Sequence, residues 1–369
     1  MNNNILKRKK SSVPNESLLV LVFGDKNEEQ FIKRFYESSK DADLILLADT
    51  GSTDNTVKLA REFGIQVHEI TVSPWRFDMA RNTALCLIPK DFDVCVSLDL
   101  DEELQPGWRE EIERVWKKGE TDYLRYKFDW GVGIVFYYEK IHARQGFIWK
   151  NMCHEVVVPF NKVIATFSQT EMLLVIHKPD PYKSRGQYMD LLEADILDNP
   201  RNARNAFYYA RELSFHRRWQ ESIDACNKYL RMPEANWPNE RCYALRVMGK
   251  CYDELNMPNE ALIAFRKACS EAPNTREPWV DLANSCYLKG LWNECFYAAV
   301  QLLTITNREL VYTCDPEVWG SKPYDLAAIA CWGLGIKDKA IEYGQMALNL
   351  EPHNERFINN LKWFRGENT

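Results

Sequence analysis

Asp99 and Asp101 stand two residues apart at the end of an apolar run, Val94-Cys95-Val96-Ser97-Leu98, that reads as a buried strand, so both carboxylates point to one side. Two carboxylates together in a poorly solvated place call for a cation. A hard divalent ion such as Mg²⁺ or Mn²⁺ is commonly held by one or two carboxylates plus substrate phosphate oxygens. The expectation is therefore a divalent metal (Mn²⁺ or Mg²⁺) and a substrate that carries a diphosphate. The same spacing recurs at Asp41/Asp43 and Asp91/Asp93, but those pairs precede apolar runs and read as solvated turns. Position separates them: ligands of open α/β sheets bind at the carboxyl ends of strands, where Asp99 and Asp101 lie.

The elements that must position this pair begin upstream. Residues 18–24 form a continuous apolar run suited to a strand covered on both faces, residues 27–39 show helical periodicity, and residues 44–48 make a second buried strand. Strand, helix, strand in that order implies a parallel sheet with a right-handed crossover. The second strand ends at Asp49, where Gly51 permits a tight bend and Ser52, Thr53 or Asp54 can cap the next helix. Asp49 thus reads either as part of a cap or as the receiver of a nucleotide's hydroxyls or base. Residues 64–70 give a third strand, and residues 75–85 a helix whose apolar stripe of Phe77, Ala80, Ala84 and Leu85 is flanked by Arg81, a natural anion partner.

Beyond Asp101, a helix runs through Ile112, Val115 and Trp116. Two aromatic-rich runs, 123–128 and 135–141, are separated by Gly131-Val132-Gly133 and predict a hairpin or an added mixed sheet. Residues 140–149 and the pair His154-Glu155 concentrate histidine, basic and aromatic residues, and are expected to face an acceptor. A strand at 173–176 ends at His177, and Lys183 and Arg185 follow at the start of the next helix as candidates to steady donor phosphates.

Three ordered motifs carry a resemblance: Asp49-Thr50-Gly51-Ser52-Thr53-Asp54-Asn55-Thr56, then Phe77-Asp78-x-Ala80-Arg81-Asn82-x-Ala84-Leu85, then Ser97-Leu98-Asp99-Leu100-Asp101-Glu102. Together they look like the motifs of family-2-type glycosyltransferases with the GT-A fold, a Rossmann-like mixed sheet, over residues 17–180. The resemblance implies a nucleotide-diphosphate-sugar donor of the UDP type, a divalent metal and inversion at the anomeric carbon. It implies that Asp49 contacts the nucleoside, Asp99 the ribose or sugar and Asp101 the metal, with Arg81 supporting the donor. His154-Glu155 resembles the His-Glu pair that follows the metal motif in related bacterial and phage enzymes, which makes both catalytic candidates, with Glu155 the general base. His177 resembles the histidine that completes the metal shell in many GT-A enzymes. The Gln-x-x-Arg-Trp pattern of processive polymerases is absent, which argues against polymer extrusion.

From residue 204 the pattern is helical throughout. A unit of about 34 residues recurs, clearest in Leu245, Gly249, Tyr252, Ala261, Phe265 and Ala268 and then in Trp279, Ala283, Cys286, Cys295, Ala299 and Leu302. These spacings resemble those of tetratricopeptide repeats. Weaker units flank them, and an insertion near 307–321 breaks the period before the last unit. The expected division is a tail at 1–16, an α/β domain at 17–180, a connecting helix at 181–203 and an all-α repeat solenoid at 204–369. Such an array offers a surface for acceptor recognition, self-association into a homo-oligomer, or both.

Forty-seven basic against 53 acidic residues give a net charge of −6, so no basic face announces nucleic acid. No apolar run approaches the roughly 18 residues of a membrane span. The polar residues after Lys7-Arg8-Lys9-Lys10 read as a solvated tail with no secretion signal, and the scattered 11 cysteines as reduced thiols of a cytoplasmic protein. The favoured expectation is an enzyme moving a sugar from a nucleotide donor to an acceptor held between the domains, which is a peptide, a glycan or a modified nucleic-acid base. The alternative is a non-catalytic, repeat-based adaptor with a degenerate transferase domain. Intact Asp49, Arg81, Asp99 and Asp101 speak against it.

Overall fold

The computed structural model describes residues 18–23, 26–160, 165–182 and 186–367. Apolar runs with no polar alternation become the centre of the sheet. In chain order the first elements are β1 (Leu18–Phe23), α1 (Glu29–Ser39), β2 (Leu44–Asp49), α2 (Thr56–Glu62), β3 (Gln66–Glu69), α3 (Phe77–Leu87) and β4 (Val94–Asp99). β2 buries every residue after its first, and β4 every residue before its last, as a parallel strand covered on both faces must. β2 and β4 both run parallel to β1, and β3 runs parallel to β2.

The chain then adds β5 (Glu102–Leu104), α4 (Trp108–Val115), β6 (Tyr123–Gly131), β7 (Ile134–Ala143), β8 (Phe147–Lys150), β9 (Val156–Pro159) and β10 (Phe167–His177). The eight-stranded sheet has the order β3-β2-β1-β4-β7-β6-β10-β5, while β8 and β9 pair separately. β7 is antiparallel to β4, β10 parallel to β6, and β5 antiparallel to β10, so the parallel half carries a mixed extension. The β6–β7 turn is a hairpin: Val132 and Gly133 both have positive φ, 46° and 80°, as a two-residue turn of the primed kind requires.

By compactness the chain forms two units. The first comprises the described residues up to Asp129 with Tyr137–Lys150 and Glu155–Pro181; the second comprises Trp130–Phe136, Asn151–His154 and the chain from Tyr182. Among the described residues no strand follows His177. The second unit contains α5 (Tyr188–Asp198), α6 (Ala203–Phe215), α7 (Trp219–Leu230), α8 (Pro238–Glu254), α9 (Pro258–Glu271), α10 (Arg276–Leu288), α11 (Trp292–Thr304), α12 (Lys322–Gly333), α13 (Lys337–Leu350) and α14 (Glu355–Arg365). The expected fold class, a mixed Rossmann-like sheet followed by an all-α repeat array, is the one observed.

Helices pack in consecutive pairs, α6 with α7, α8 with α9, α10 with α11 and α12 with α13. The same turn joins the two helices of each pair. Arg217, Asn256, Gly290 and Gly335 take positive φ, and the residue after each donates its N–H to the carbonyl five positions back, at Leu213, Tyr252, Cys286 and Cys331. Those are Schellman closures, which satisfy the last carbonyls of the first helix while reversing the chain. Small residues then let the helices approach. A Cβ placed on Gly249 of α8 would lie 2.4 Å from the Phe265 ring of α9.

The insertion before α12 is tied down by this unit's own residues. Arg276 donates to the carbonyls of Ile305 (2.8 Å) and Val318 (3.3 Å), and its guanidinium lies 4.1 Å over the Trp319 ring. Tyr312 donates to the buried Glu240 carboxylate, and Glu277 accepts the Asp315 N–H at 2.9 Å. Asp195 holds the 151–154 segment, accepting from Met152 N, Asn202 and Asn205.

Two stability consequences follow from buried side chains. Replacing Gly249 by Ala forces the Phe265 ring aside in a packed core and should cost about 1–3 kcal/mol in urea unfolding. An unchanged unfolding midpoint would mean that α8 and α9 separate without loss.

His142 of β7 is fully buried, with Nδ1 on the Ala143 carbonyl (2.8 Å) and Nε2 3.4 Å from Ser97 Oγ. Burial, reinforced by the neighbouring Arg144 charge against the pull of that carbonyl, pushes its pKa down from 6.5 to about 4. The unfolded chain therefore binds this proton more readily. His142's contribution to stability is complete above about pH 6.5 and is lost as pH falls towards 4, on the order of 3 kcal/mol in all. Urea unfolding of His142→Gln should show a shallower loss than the parent over that window; identical slopes would remove His142 as the cause.

Candidate active site

The carboxyl ends of β2 and β4 bring the first two expected residues to one end of the sheet. Phe23 of β1 is paired with Ala48 on one side and with Asp99 on the other, so Asp49 and Asp99 lie two strand spacings apart, about 10 Å. Asp49 is 2% exposed. Its Oδ2 accepts the N–H groups of Gly51 (2.9 Å) and Ser52 (3.0 Å), the cap that the turn sequence suggests. Its Oδ1 is buried and has no protein partner among the described residues. Capping therefore accounts for half of this carboxylate.

The loop after Asp49 is locked against the start of α1. Asn27 Oδ1 accepts from Thr53 N (2.8 Å), Glu29 Oε2 accepts from Asn55 N (2.8 Å), Asp54 Oδ2 accepts from Glu29 N (3.2 Å) and Thr56 Oγ1 accepts from Glu28 N (2.8 Å). The two helix starts satisfy one another's unpaired donors.

At the end of β4 stands a chain of alternating charges. Arg81, on the face of α3 that also buries Ala80 and Ala84, donates from Nη2 to Asp99 Oδ1 (2.7 Å) and from Nε to Glu155 Oε1 (2.6 Å). Its guanidinium lies 4.7 Å over the Trp149 ring. Lys140 of β7 donates to Asp99 Oδ2 at 3.1 Å and to Glu102 Oε1, and Glu102 Oε2 accepts the Asp99 N–H at 3.1 Å. Arg81, Lys140 and Glu102 are sealed, at 6%, 3% and 3% side-chain exposure, whereas Asp99 is 32% exposed. The network shows its surroundings mainly the Asp99 carboxylate.

Charge regulation follows from this packing. Burial alone would raise the Asp99 pKa, but the Arg81 and Lys140 charges outweigh it and hold the carboxyl well below its usual range. Burial disfavours the charged forms of Arg81 and Lys140 as well, yet their carboxylate partners push both pKa values up. Glu102 is raised, by burial and by the nearby Asp99 and Asp101 against the pull of Lys140.

Asp101 is placed by a strand too short to read from sequence. β5 pairs with β10 so that His177 faces Glu102, and Lys178 N donates to the Asp101 carbonyl at 2.8 Å. His177 Nε2 then lies 3.3 Å from Asp101 Oδ2. A carboxylate and an imidazole so placed fit as the protein's share of a Mn²⁺ or Mg²⁺ shell completed by phosphate and water oxygens. Among the described residues no group of three or more His, Cys, Asp or Glu side chains gathers as a complete cage.

The remaining candidates separate. Glu155 belongs to the first unit and His154 to the second, where its ring stacks on Tyr208 at 3.8 Å and its carbonyl accepts from Arg204. Lys183 and Arg185 lie outside the described residues. The block 140–149, expected to face an acceptor, instead turns Lys140, His142 and Trp149 into the interior, because β7 and β8 supply pairing and core. Glu102 has no role of its own among the sequence-based candidates, and Lys140 enters only within the block expected to face an acceptor. The available signal was a lone lysine in an aromatic strand and a third carboxylate directly after Asp99 and Asp101.

Comparison with known proteins agrees with the motifs. Residues 26–168 match the model of glycosyl transferase family 2. An uncharacterized glycosyltransferase of Rickettsia typhi is 29% identical over 150 residues, covering 39% of this chain and 47% of the relative. One from Rickettsia bellii is 30% identical over 147 residues, covering 39% and 46%. The chain thus spans about half the length of the curated relatives it matches. Among solved structures, MamA is 14% identical at a TM-score of 0.37, covering 47% of this chain and 87% of MamA. YrrB, titled a TPR protein with an unusual peptide-binding site, is 16% identical at 0.37, covering 47% and 81%. The repeat assignment rests on the helix pairs and their Schellman turns. The chain carries a glycosyl transferase family 2 domain over residues 26–168, with tetratricopeptide-like helical pairs after it.

Proposed function

We propose that this protein is a metal-dependent, inverting glycosyltransferase that takes a sugar from a UDP-type donor and passes it to a nucleophilic acceptor. The observation that carries the reading is the shared strand end: Asp99 32% exposed with a cation on each carboxylate oxygen, Asp101 beside His177, and Asp49 with one buried oxygen unpartnered. An unpartnered buried acceptor is costly, and a ribose hydroxyl or base N–H would satisfy it.

In this reading Asp49 and Asp99 orient the nucleoside and sugar. Arg81 sets the position of both Asp99 and Glu155 through its two hydrogen bonds. Glu155 Oε1 is anchored, so its other oxygen takes the acceptor's proton as the nucleophile bonds to the anomeric carbon and the bond to the diphosphate oxygen breaks. A divalent cation at Asp101 and His177 would neutralise the charge that collects on the departing diphosphate. Lys183 and Arg185 are carried as further donor-phosphate contacts, and His154 as an acceptor-side residue. The acceptor is a peptide, a glycan or a modified nucleic-acid base, recruited by the helical array, which is also the surface proposed for self-association. Eleven thiols with no C-x-x-C pair support a cytoplasmic setting.

Two substitutions test the roles against each other. Asp101→Ala should abolish most donor hydrolysis and transfer, since charge stabilisation of a leaving group is worth several kcal/mol. Glu155→Gln should leave donor and Mn²⁺ binding by calorimetry nearly intact while cutting transfer roughly 10²- to 10⁴-fold. Full activity in Asp101→Ala would overturn the metal-dependent reading, and equal loss of donor binding in both variants would move Glu155 into the donor site.

A further inference from the structure

We propose that Lys140 is a positioning residue for the donor site, holding the corner of chain from which Asp99 and Asp101 project. The inference deepens the transferase reading and rests on it.

Its basis is a closed ring of hydrogen bonds. Lys140 Nζ donates to Asp99 Oδ2 and to Glu102 Oε1; Glu102 Oε2 accepts the N–H of Asp99 itself. The ring therefore fixes the side chain and the backbone of Asp99 together, across the turn that contains Asp101. With Arg81 on Oδ1, each oxygen of Asp99 has its own cation, which determines the plane of the carboxylate. Lys140 can do this only from inside. Its side chain is 3% exposed, and Nζ sits 5.2 Å from the Tyr138 ring centre and 5.7 Å from that of Phe128. Four strands contribute: β4 carries Asp99, β5 Glu102, β6 Phe128, and β7 both Lys140 and Tyr138.

Stability is a weak reason to keep such a group. A buried ion pair replaced whole by uncharged side chains of similar volume is often neutral or stabilising, whereas removing one partner is strongly destabilising. A buried lysine among rings, aimed at the most accessible carboxylate of the network, is better accounted for by what it does to Asp99. Lys140 acts through Asp99 and makes no contact with the donor. Its loss should loosen donor binding more than it slows the bound donor's reaction.

The test uses the full chain. Lys140→Met alone would leave Glu102 buried beside Asp99 without its cation, while Asp99 keeps Arg81, and is expected to lower the unfolding midpoint. The informative variant is Lys140→Met with Glu102→Gln, in which the introduced amide oxygen can still accept the Asp99 N–H. Donor hydrolysis with UDP-sugars and calorimetry with uridine diphosphate plus Mn²⁺ are measured on the double variant and the parent. The expected result is a folded double variant with an unfolding midpoint close to the parent's. Its donor KM and nucleotide Kd should rise roughly 10- to 100-fold and its kcat fall less. A folded double variant within twofold of the parent in KM and Kd would overturn the role of Lys140 and leave the transferase reading standing. A parent chain that neither hydrolyses any nucleotide sugar nor binds uridine diphosphate would overturn both.

Discussion

Charge buried at the end of β4 is the constraint that the first unit is built around. Glu155, Arg81, Asp99, Lys140 and Glu102 form one chain of ion pairs, and four of the five side chains are nearly sealed from solvent. Taking an ion out of water costs several kcal/mol even after relaxation, and a lone buried charge cannot be offset by packing. These residues come from α3, from β4, β5 and β7, and from the residue before β9. Each element must reach its place for any of the charges to be tolerated. The network thereby couples correct assembly of the sheet to correct placement of Asp99.

That coupling explains why the site lies on a mixed sheet. The parallel half, β3-β2-β1-β4, aligns two aspartate-bearing strand ends, as expected where open sheets bind ligands. The mixed extension does different work. β7 brings a cation to the far side of Asp99, and β10 brings His177 to Asp101 through its pairing with β5. The second unit follows another rule, in which each helical pair closes on its own Schellman turn and small residues set the helix separation.

The parts legible in the sequence were those with a local signal. Long apolar runs marked β1, β2 and β4, the Asp49 turn announced a helix start, and the helical period with Gly249 and Ala283 announced the repeats. What escaped notice depended on distance. Arg81 and Glu155 are 74 residues apart, and nothing in either neighbourhood says that they meet. β5, of three residues, is too short to show alternation, yet it sets the register that brings His177 to Asp101. Lys140 was placed in a block expected to face an acceptor, because a strand with one face out has the same pattern as a strand burying a paired cation. His154 and Glu155, read as a pair, diverge because His154 takes a positive φ of 50° and its ring stacks on Tyr208.

The most direct test of the account is a crystal structure of the full chain with uridine diphosphate and Mn²⁺, the metal located by its anomalous signal. The account predicts the metal between the nucleotide's diphosphate and the Asp101–His177 pair. It also predicts that the free oxygen of Asp49 accepts a hydrogen bond from the nucleoside. A nucleotide bound away from the ends of β2 and β4, or a metal bound without Asp101, would contradict it.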